Sequence, residues 1–217
     1  MAVGYNPSIV SDGLVFFLDP ANRRSYSGSG LTAYGLVGNI GGTLVNGTGF
    51  SSANNGSFFF DGSNDYINLP TNNLPYGSVP RTICCWFLAN SLAYEWAFSY
   101  GSPDAGASNA LGIILGVITY AGYGGVDVYG PVPSLNTWYY VCGVYNGSVA
   151  SLYVNGSLYT SSAKSWNTVQ STAQIGRQTN TGEFWNGNIS QSKIYNRALS
   201  AQEILQNFNA TRFRYGI

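Results

Sequence analysis

The feature that most constrains this chain is the brevity of its apolar runs. Residues 13–19, 56–60, 66–69, 82–89, 111–120, 125–129, 138–145, 151–154, 174–176 and 188–195 are each rich in β-branched or aromatic side chains and bounded by Gly, Asn, Ser or Pro. Such runs fit a pleated, half-buried surface and read as strands. Asp61-Gly62, Asn146-Gly147 and Asn155-Gly156 fall between them, where a tight hairpin turn needs positive φ. The 217 residues suit one domain of this type, without a linker or an internal repeat. The expected fold is all-β: an antiparallel β-sandwich jelly roll spanning residues 1–217, with Val15, Phe17, Phe59, Ile83, Trp86 or Phe87, Val141 and Val144 facing inward. Residues 23–52 read as a long surface connection with little strand beyond 42–45.

One helix is expected, and its start is marked. Ser200-Ala201-Gln202-Glu203 has capping-box spacing, in which hydroxyl and carboxylate satisfy each other's orphan amides. Ile204, Leu205 and Phe208 then form a short apolar face. The terminal stretch from about residue 210, with Arg212, Phe213, Arg214 and Tyr215, reads as a basic-aromatic tail suited to anchoring on a neighbour, together with an arm at about residues 1–12.

Composition narrows the chemistry. Nine basic and nine acidic residues cancel, and only 8% of the chain is charged, so nucleic acid and membrane partners are not expected. No run approaches the length of a membrane helix. Histidine is absent, which removes imidazole-based triads, metal sites and pH switches. The first seven residues lack the basic and apolar regions of a secretory signal, which predicts a cytosolic product. The three cysteines, Cys84, Cys85 and Cys142, accordingly read as buried thiols.

Recognition is the better lead. Tyr94, Trp96 and Tyr100 precede Asp104 and Asn109, and Tyr120 and Tyr123 flank glycines before Asp127. Saccharides stack their apolar ring faces on aromatics while amides and carboxylates take the hydroxyls, so these loops are candidates for a glycan or for a protein interface. Half of these aromatics lie at strand spacing, which also suits core positions. Asp61 and Asp65 flank a turn and are a weak calcium candidate against an ordinary Asx turn; otherwise no cofactor is expected.

Four blocks resemble the laminin-G-like branch of the concanavalin A-like lectin/glucanase superfamily: residues 60–67 (FDGSNDYI), 81–89 (RTICCWFLA), 137–159 and 194–204 (IYNRALSAQEI). The resemblance implies a sandwich in which Asn155-Gly156 is a hairpin turn and residues 196–200 lead into a short helix. Many bacterial relatives carry an acidic pair before the last block, where this chain has Ile189-Ser190-Gln191-Ser192-Lys193. The glucanase branch uses a Glu-x-Asp-x-x-Glu strand, but the glutamates here are Glu95, Glu183 and Glu203, none in that register, so no enzyme is expected. Both chain ends are similar to laminin-G-like proteins of tailed phages. That likeness implies a non-enzymatic virion structural protein, a capsid decoration or head or tail appendage subunit, in contact with major capsid or tail proteins. It also implies a homo-oligomer, by analogy a trimer on a capsid or fibre axis. The alternative is a carbohydrate-binding lectin or adhesin for a host-surface glycan.

Overall fold

A computed structural model describes residues 8–38, 40–178 and 181–217. The strands in chain order are β1 (Leu14–Leu18), β2 (Thr32–Tyr34), β3 (Gly41–Val45), β4 (Gly49–Ser51), β5 (Ser57–Asp61), β6 (Tyr66–Leu69), β7 (Arg81–Ala89) and β8 (Glu95–Gly101). They continue as β9 (Ser108–Ile114), β10 (Val117–Ala121), β11 (Val128–Tyr129), β12 (Trp138–Tyr145), β13 (Val149–Val154), β14 (Ser157–Ala163), β15 (Thr172–Ile175) and β16 (Asn186–Tyr195). Helix α1 (Ala201–Thr211) and a 3-10 turn (Arg212–Tyr215) close the described chain.

The strands form two antiparallel sheets. The back sheet runs β14-β13-β12-β7-β16-β5-β4, with β1 beside the second half of β16; the front sheet runs β11-β10-β9-β8-β15-β6-β3-β2. Between them lies a core to which Phe16, Phe58, Phe60, Ile83, Phe87 and Val141 contribute from the back and Ile67, Phe98, Leu111, Ile113 and Ile118 from the front. The jelly-roll sandwich expected from the strand pattern is the observed fold.

Register is where the expectation needs correction. Phe16 and Leu18 are fully buried while Val15 and Phe17 are only partly covered, because β1 is irregular against β16 between Leu14 and Phe16. In the Phe58-Phe59-Phe60 run the inner pair is Phe58 and Phe60, and Phe59 is 41% exposed. A uniform run gives no sign of which alternate members face in, and a slip of one residue inverts the whole set. Phe87 points into the sandwich, whereas its neighbour Trp86, with Val144, lies on the outer face of the back sheet. Residues 23–52 hold β2 and β4 besides the expected strand at 42–45, β8 lies outside the expected runs, and β14 extends well beyond the expected hairpin at Asn155-Gly156.

That outer face is covered. Helix α1 starts with the expected capping box, Glu203 N donating to Ser200 Oγ (3.3 Å) and Ser200 N to Glu203 Oε2 (2.8 Å). Ile204 and Phe208 are buried against the sheet, but Leu205 is 44% exposed. Trp86 stacks on Phe208 (5.8 Å between centroids) and on Tyr215 (3.9 Å), and its Nε1 donates to Thr211 Oγ1 (2.9 Å). Cys84 and Cys142, directly opposed on β7 and β12 with Cα atoms 4.1 Å apart, are joined by a disulfide beneath this cover, while Cys85 points into the core as a buried thiol. The expectation of three thiols therefore holds for Cys85 alone; adjacent positions on neighbouring strands brought the other two together.

The tail is also redirected. Arg214 pairs with Asp19 (2.9 Å), Gln191 Nε2 donates to the same carboxylate (2.8 Å), Lys193 Nζ donates to Gln191 Oε1 (2.6 Å), and Tyr215 OH donates to Ser190 Oγ (2.9 Å). Burial pulls the Lys193 pKa down to about 7, helped by the charge of Arg214 and opposed by Asp19. Arg214 and Tyr215 are thus spent on their own chain. Arg212 lies beside the rings of Phe208 and Phe213, and Phe213 is 68% exposed. Residues 1–7 of the expected arm lie outside the described residues; Val10 is fixed by Asn207 Oδ1, which accepts from its N–H (2.8 Å).

Candidate functional site

Among the described residues, no helix lies over the β8-β11 end of the front sheet's outer face. Cross-strand register aligns Trp96 with Gly112, Gly112 with Thr119, and Thr119 with Tyr129, so one transverse row runs Trp, Gly, Thr, Tyr across four strands on a single face. Small residues in the middle and rings at both ends make a shallow bowl. Gly112 is required here: a Cβ on it would stand 2.8 Å from Cε3 of Trp96.

Two loops raise the rim. The β9-β10 turn projects Leu115, which is 66% exposed. After β10, Tyr123, Gly124 and Gly125 take successive positive φ values of 72°, 73° and 81°, and Asp127 Oδ1 fastens this loop by accepting from Tyr123 N (2.9 Å). The result is an open depression of about 270 Å³ lined by Tyr94, Trp96, Ile114, Leu115, Tyr123, Gly124, Gly125, Asp127, Tyr129 and Glu183. Glu183 arrives from the segment between β15 and β16, and its Oε2 accepts from Trp96 Nε1 (2.6 Å). Burial raises the pKa of Asp127, against the lowering effects of the Tyr123 and Gly122 amides and of Lys164.

Of the residues expected to bind a glycan, Tyr94, Trp96, Tyr123 and Asp127 meet in this depression. Tyr100, Asn109 and Tyr120 do not: they are fully buried, Tyr120 OH donating to Asn109 Oδ1 (2.8 Å) and Tyr100 OH to Pro75 O (3.2 Å). They sit on β8, β9 and β10, where alternation turns them inward. Asp104 is exposed outside the depression and accepts from Ser102 Oγ (2.5 Å). Asp61 Oδ1 takes the amide of Ser63 (2.8 Å) and Asp65 Oδ2 that of Asp61 (3.2 Å), so both carboxylates of the calcium candidate serve an Asx-type turn.

Glu183 and Tyr129 line the depression but are not among the residues that the sequence marks for a glycan. Tyr129 is legible, since a strand is expected to end there; Glu183 has no local signal, because only the pairing of β15 with β8 brings the segment that follows β15 beside Trp96. Glu95, next to Trp96, faces the other way. It is buried, accepts from Asn186 N (2.7 Å) through Oε2, leaves Oε1 without a partner, and has its pKa pushed up to about 8 by that burial.

Solved structures share this architecture. Domain 4 of AbnA, an extracellular GH43 arabinanase from Geobacillus stearothermophilus, solved in complex with arabinotriose, superposes with a TM-score of 0.70 at 14% identity, over 91% of this chain and 99% of that one. The binding domain of Paraclostridial Mosquitocidal Protein 1 gives 0.71 at 17%, over 91% of this chain and 52% of that one. Trypanosoma rangeli sialidase gives 0.70 at 15%, over 98% of this chain and 36% of the enzyme. The chain thus spans about half or less of the latter two. No curated protein sequence matches. The Laminin_G_3 model of the concanavalin A-like lectin/glucanases superfamily matches residues 61–205, well over half of the chain, and the protein belongs to that family.

Proposed function

We propose that this protein is a non-catalytic saccharide-binding module whose ligand lies in the depression on the front sheet. The observation that carries the reading is the combination of accessible rings (Tyr94, Tyr123, Tyr129) around the buried Trp96 with two carboxylates, Asp127 and Glu183, each accepting a hydrogen bond from a residue of the depression. Stacking surface and oriented acceptors are what a sugar requires. The arabinanase domain supports the reading, because nearly all of it corresponds to this chain and it was solved with a trisaccharide.

A hydrolytic role is less well supported. Two-carboxylate hydrolysis needs an acid and a nucleophile or base flanking one bond. Glu95 has the raised pKa of a general acid but is buried on the other face of β8 from Trp96. The expectation of a virion subunit rests on the chain ends, where Arg214 and Tyr215 are engaged internally, and none of the structures named above is a virion protein. The Cys84–Cys142 disulfide fits work outside a reducing cytosol.

The test is titration calorimetry of the whole chain against a saccharide panel, with Tyr94→Ala and Tyr129→Ala as variants. Saccharide binding that weakens about tenfold in each variant without loss of fold is the expected result. Binding unaffected by both substitutions sinks the assignment of this site.

A further inference from the structure

Three carboxylates of this protein stand in ion pairs: Asp19 with Arg214, and Asp12 and Glu203 with Arg197. Asp127 and Glu183 do not. Among the described residues neither makes an ion pair, and the lining of the depression contains no Lys or Arg. Lys164 is near enough to influence Asp127 but is not part of the lining. Asp127 accepts from the Tyr123 amide and Glu183 from the Trp96 indole, and Tyr94, Tyr123 and Tyr129 line the same depression, with Tyr129 close enough to Asp127 and Tyr94 to feel both. Partly desolvated negative charge beside aromatic faces favours a cationic group twice over, through the charge-assisted hydrogen bond and through the ring quadrupole. A carboxylated sugar would add a third negative charge to the same space.

We infer that the depression selects saccharides by charge: it takes an amino sugar, a pyranose bearing a protonated amine, with the ring on the aromatic walls and the ammonium at the carboxylates of Asp127 and Glu183, and it turns away acidic sugars. This rests on the saccharide-binding reading. Neutral sugars stack on the same walls but leave the two carboxylates uncompensated, so they bind more weakly.

The experiment is calorimetry on the full chain at about pH 6, where the amine is protonated and ordinary carboxylates are ionised. The probes are a β-1,4-linked glucosamine trimer, its fully N-acetylated counterpart and sialyllactose. The amine-bearing trimer is expected to bind at least about tenfold more tightly than the acetylated one, the increment of one good charge-assisted hydrogen bond, and sialyllactose not measurably. Asp127→Asn and Glu183→Gln keep the acceptors that Tyr123 N and Trp96 Nε1 need, so both fold; their combination is expected to abolish the preference while retaining the acetylated trimer. Equal affinity for both trimers, a preference that survives the double substitution, or tight sialyllactose binding overturns the charge inference and leaves saccharide binding standing. Failure to bind any saccharide, these or those of a wider neutral panel, overturns both.

Discussion

On the back sheet, Trp86 lies between the rings of Phe208 and Tyr215 with its N–H tied to Thr211; on the front sheet, Trp96 lies across Gly112 with its N–H tied to Glu183. Both indoles face outward from the sandwich, and both are nearly inaccessible, at 0% and 2% exposure. What differs is the surroundings. Behind the back sheet, the chain's own C-terminal helix and turn supply the second layer, and the aromatics become a small second core with its disulfide and its Asp19-Arg214 pair. In front, Trp96 itself is covered by its neighbours, but the surface above it stays open, and Tyr94 and Tyr129 remain 48% and 42% exposed. The same residue types stabilise the fold on one face and offer a contact surface on the other.

If that division is right, damage to the back face costs stability and damage to the front costs affinity. The largest effect is expected from the C-terminal turn. Arg214→Met leaves Asp19 buried without its partner, and Tyr215→Ala removes a ring stacked 3.9 Å from Trp86. Each is expected to cost about 3–5 kcal/mol, a fall of about 10 °C in Tm measured by circular dichroism. Melting unchanged by either would show that the turn is an ornament and the back face another open surface.

Next in size is a charge effect on the front sheet. Glu95 is buried with one oxygen unpartnered and is held protonated up to about pH 8. The unfolded chain releases this proton at the ordinary glutamate pKa, so Glu95 weakens the fold progressively as pH rises from about 4.3 toward 8. Glu95→Gln retains an acceptor for Asn186 N and removes the ionisable group. It is expected to gain on the order of 2 kcal/mol at the upper end of that window and nothing below it. A variant whose stability follows the wild-type pH profile refutes the burial cost. Smaller in free energy are Tyr94→Ala and Tyr129→Ala, where the comparison predicts about tenfold weaker binding with Tm shifted by no more than about 2 °C.

How far sequence could reach follows from the same two faces. The Asn155-Gly156 turn with both φ values positive and the capping box at Ser200 are local signals, and each appears where the local chemistry placed it; most strand runs do so too, although 111–120 divides at Leu115-Gly116 into β9 and β10. The errors come from information that is not local. Phe58-Phe59-Phe60 offers three equivalent residues to two faces. Tyr100 and Tyr120 carry the composition of a sugar site but the parity of a core. Glu183 joins Trp96 from 87 positions away, and Cys84 meets Cys142 across 58, pairings that exist only once β7 has found β12 and β15 has found β8.

The smallest effect separates the two faces by the sign of their pH response. Glu203 closes the capping box of α1 and receives both terminal nitrogens of Arg197, at 2.9 and 2.5 Å. The Arg197 hydrogen bonds, more than the Ser200 contacts, hold its pKa down to about 2 against a modest opposing effect of burial. A depressed carboxylate contributes its full stability above the unfolded pKa and loses it as pH falls from there toward the folded value, here from about 4.3 to about 2. The helix that covers the back face is therefore expected to loosen in acid, where Glu95 on the front sheet has nothing left to lose. Glu203→Gln should reproduce that loss at neutral pH, by about 1 kcal/mol given the partial exposure of the pair, and flatten the acid limb of the melting profile. Hydrogen exchange assigns it to a face: faster exchange confined to the α1 amides confirms that the cover opens independently, whereas equal acceleration in β8 to β10 would mean that the two faces unfold as one unit and that the division between them ends at the level of contacts.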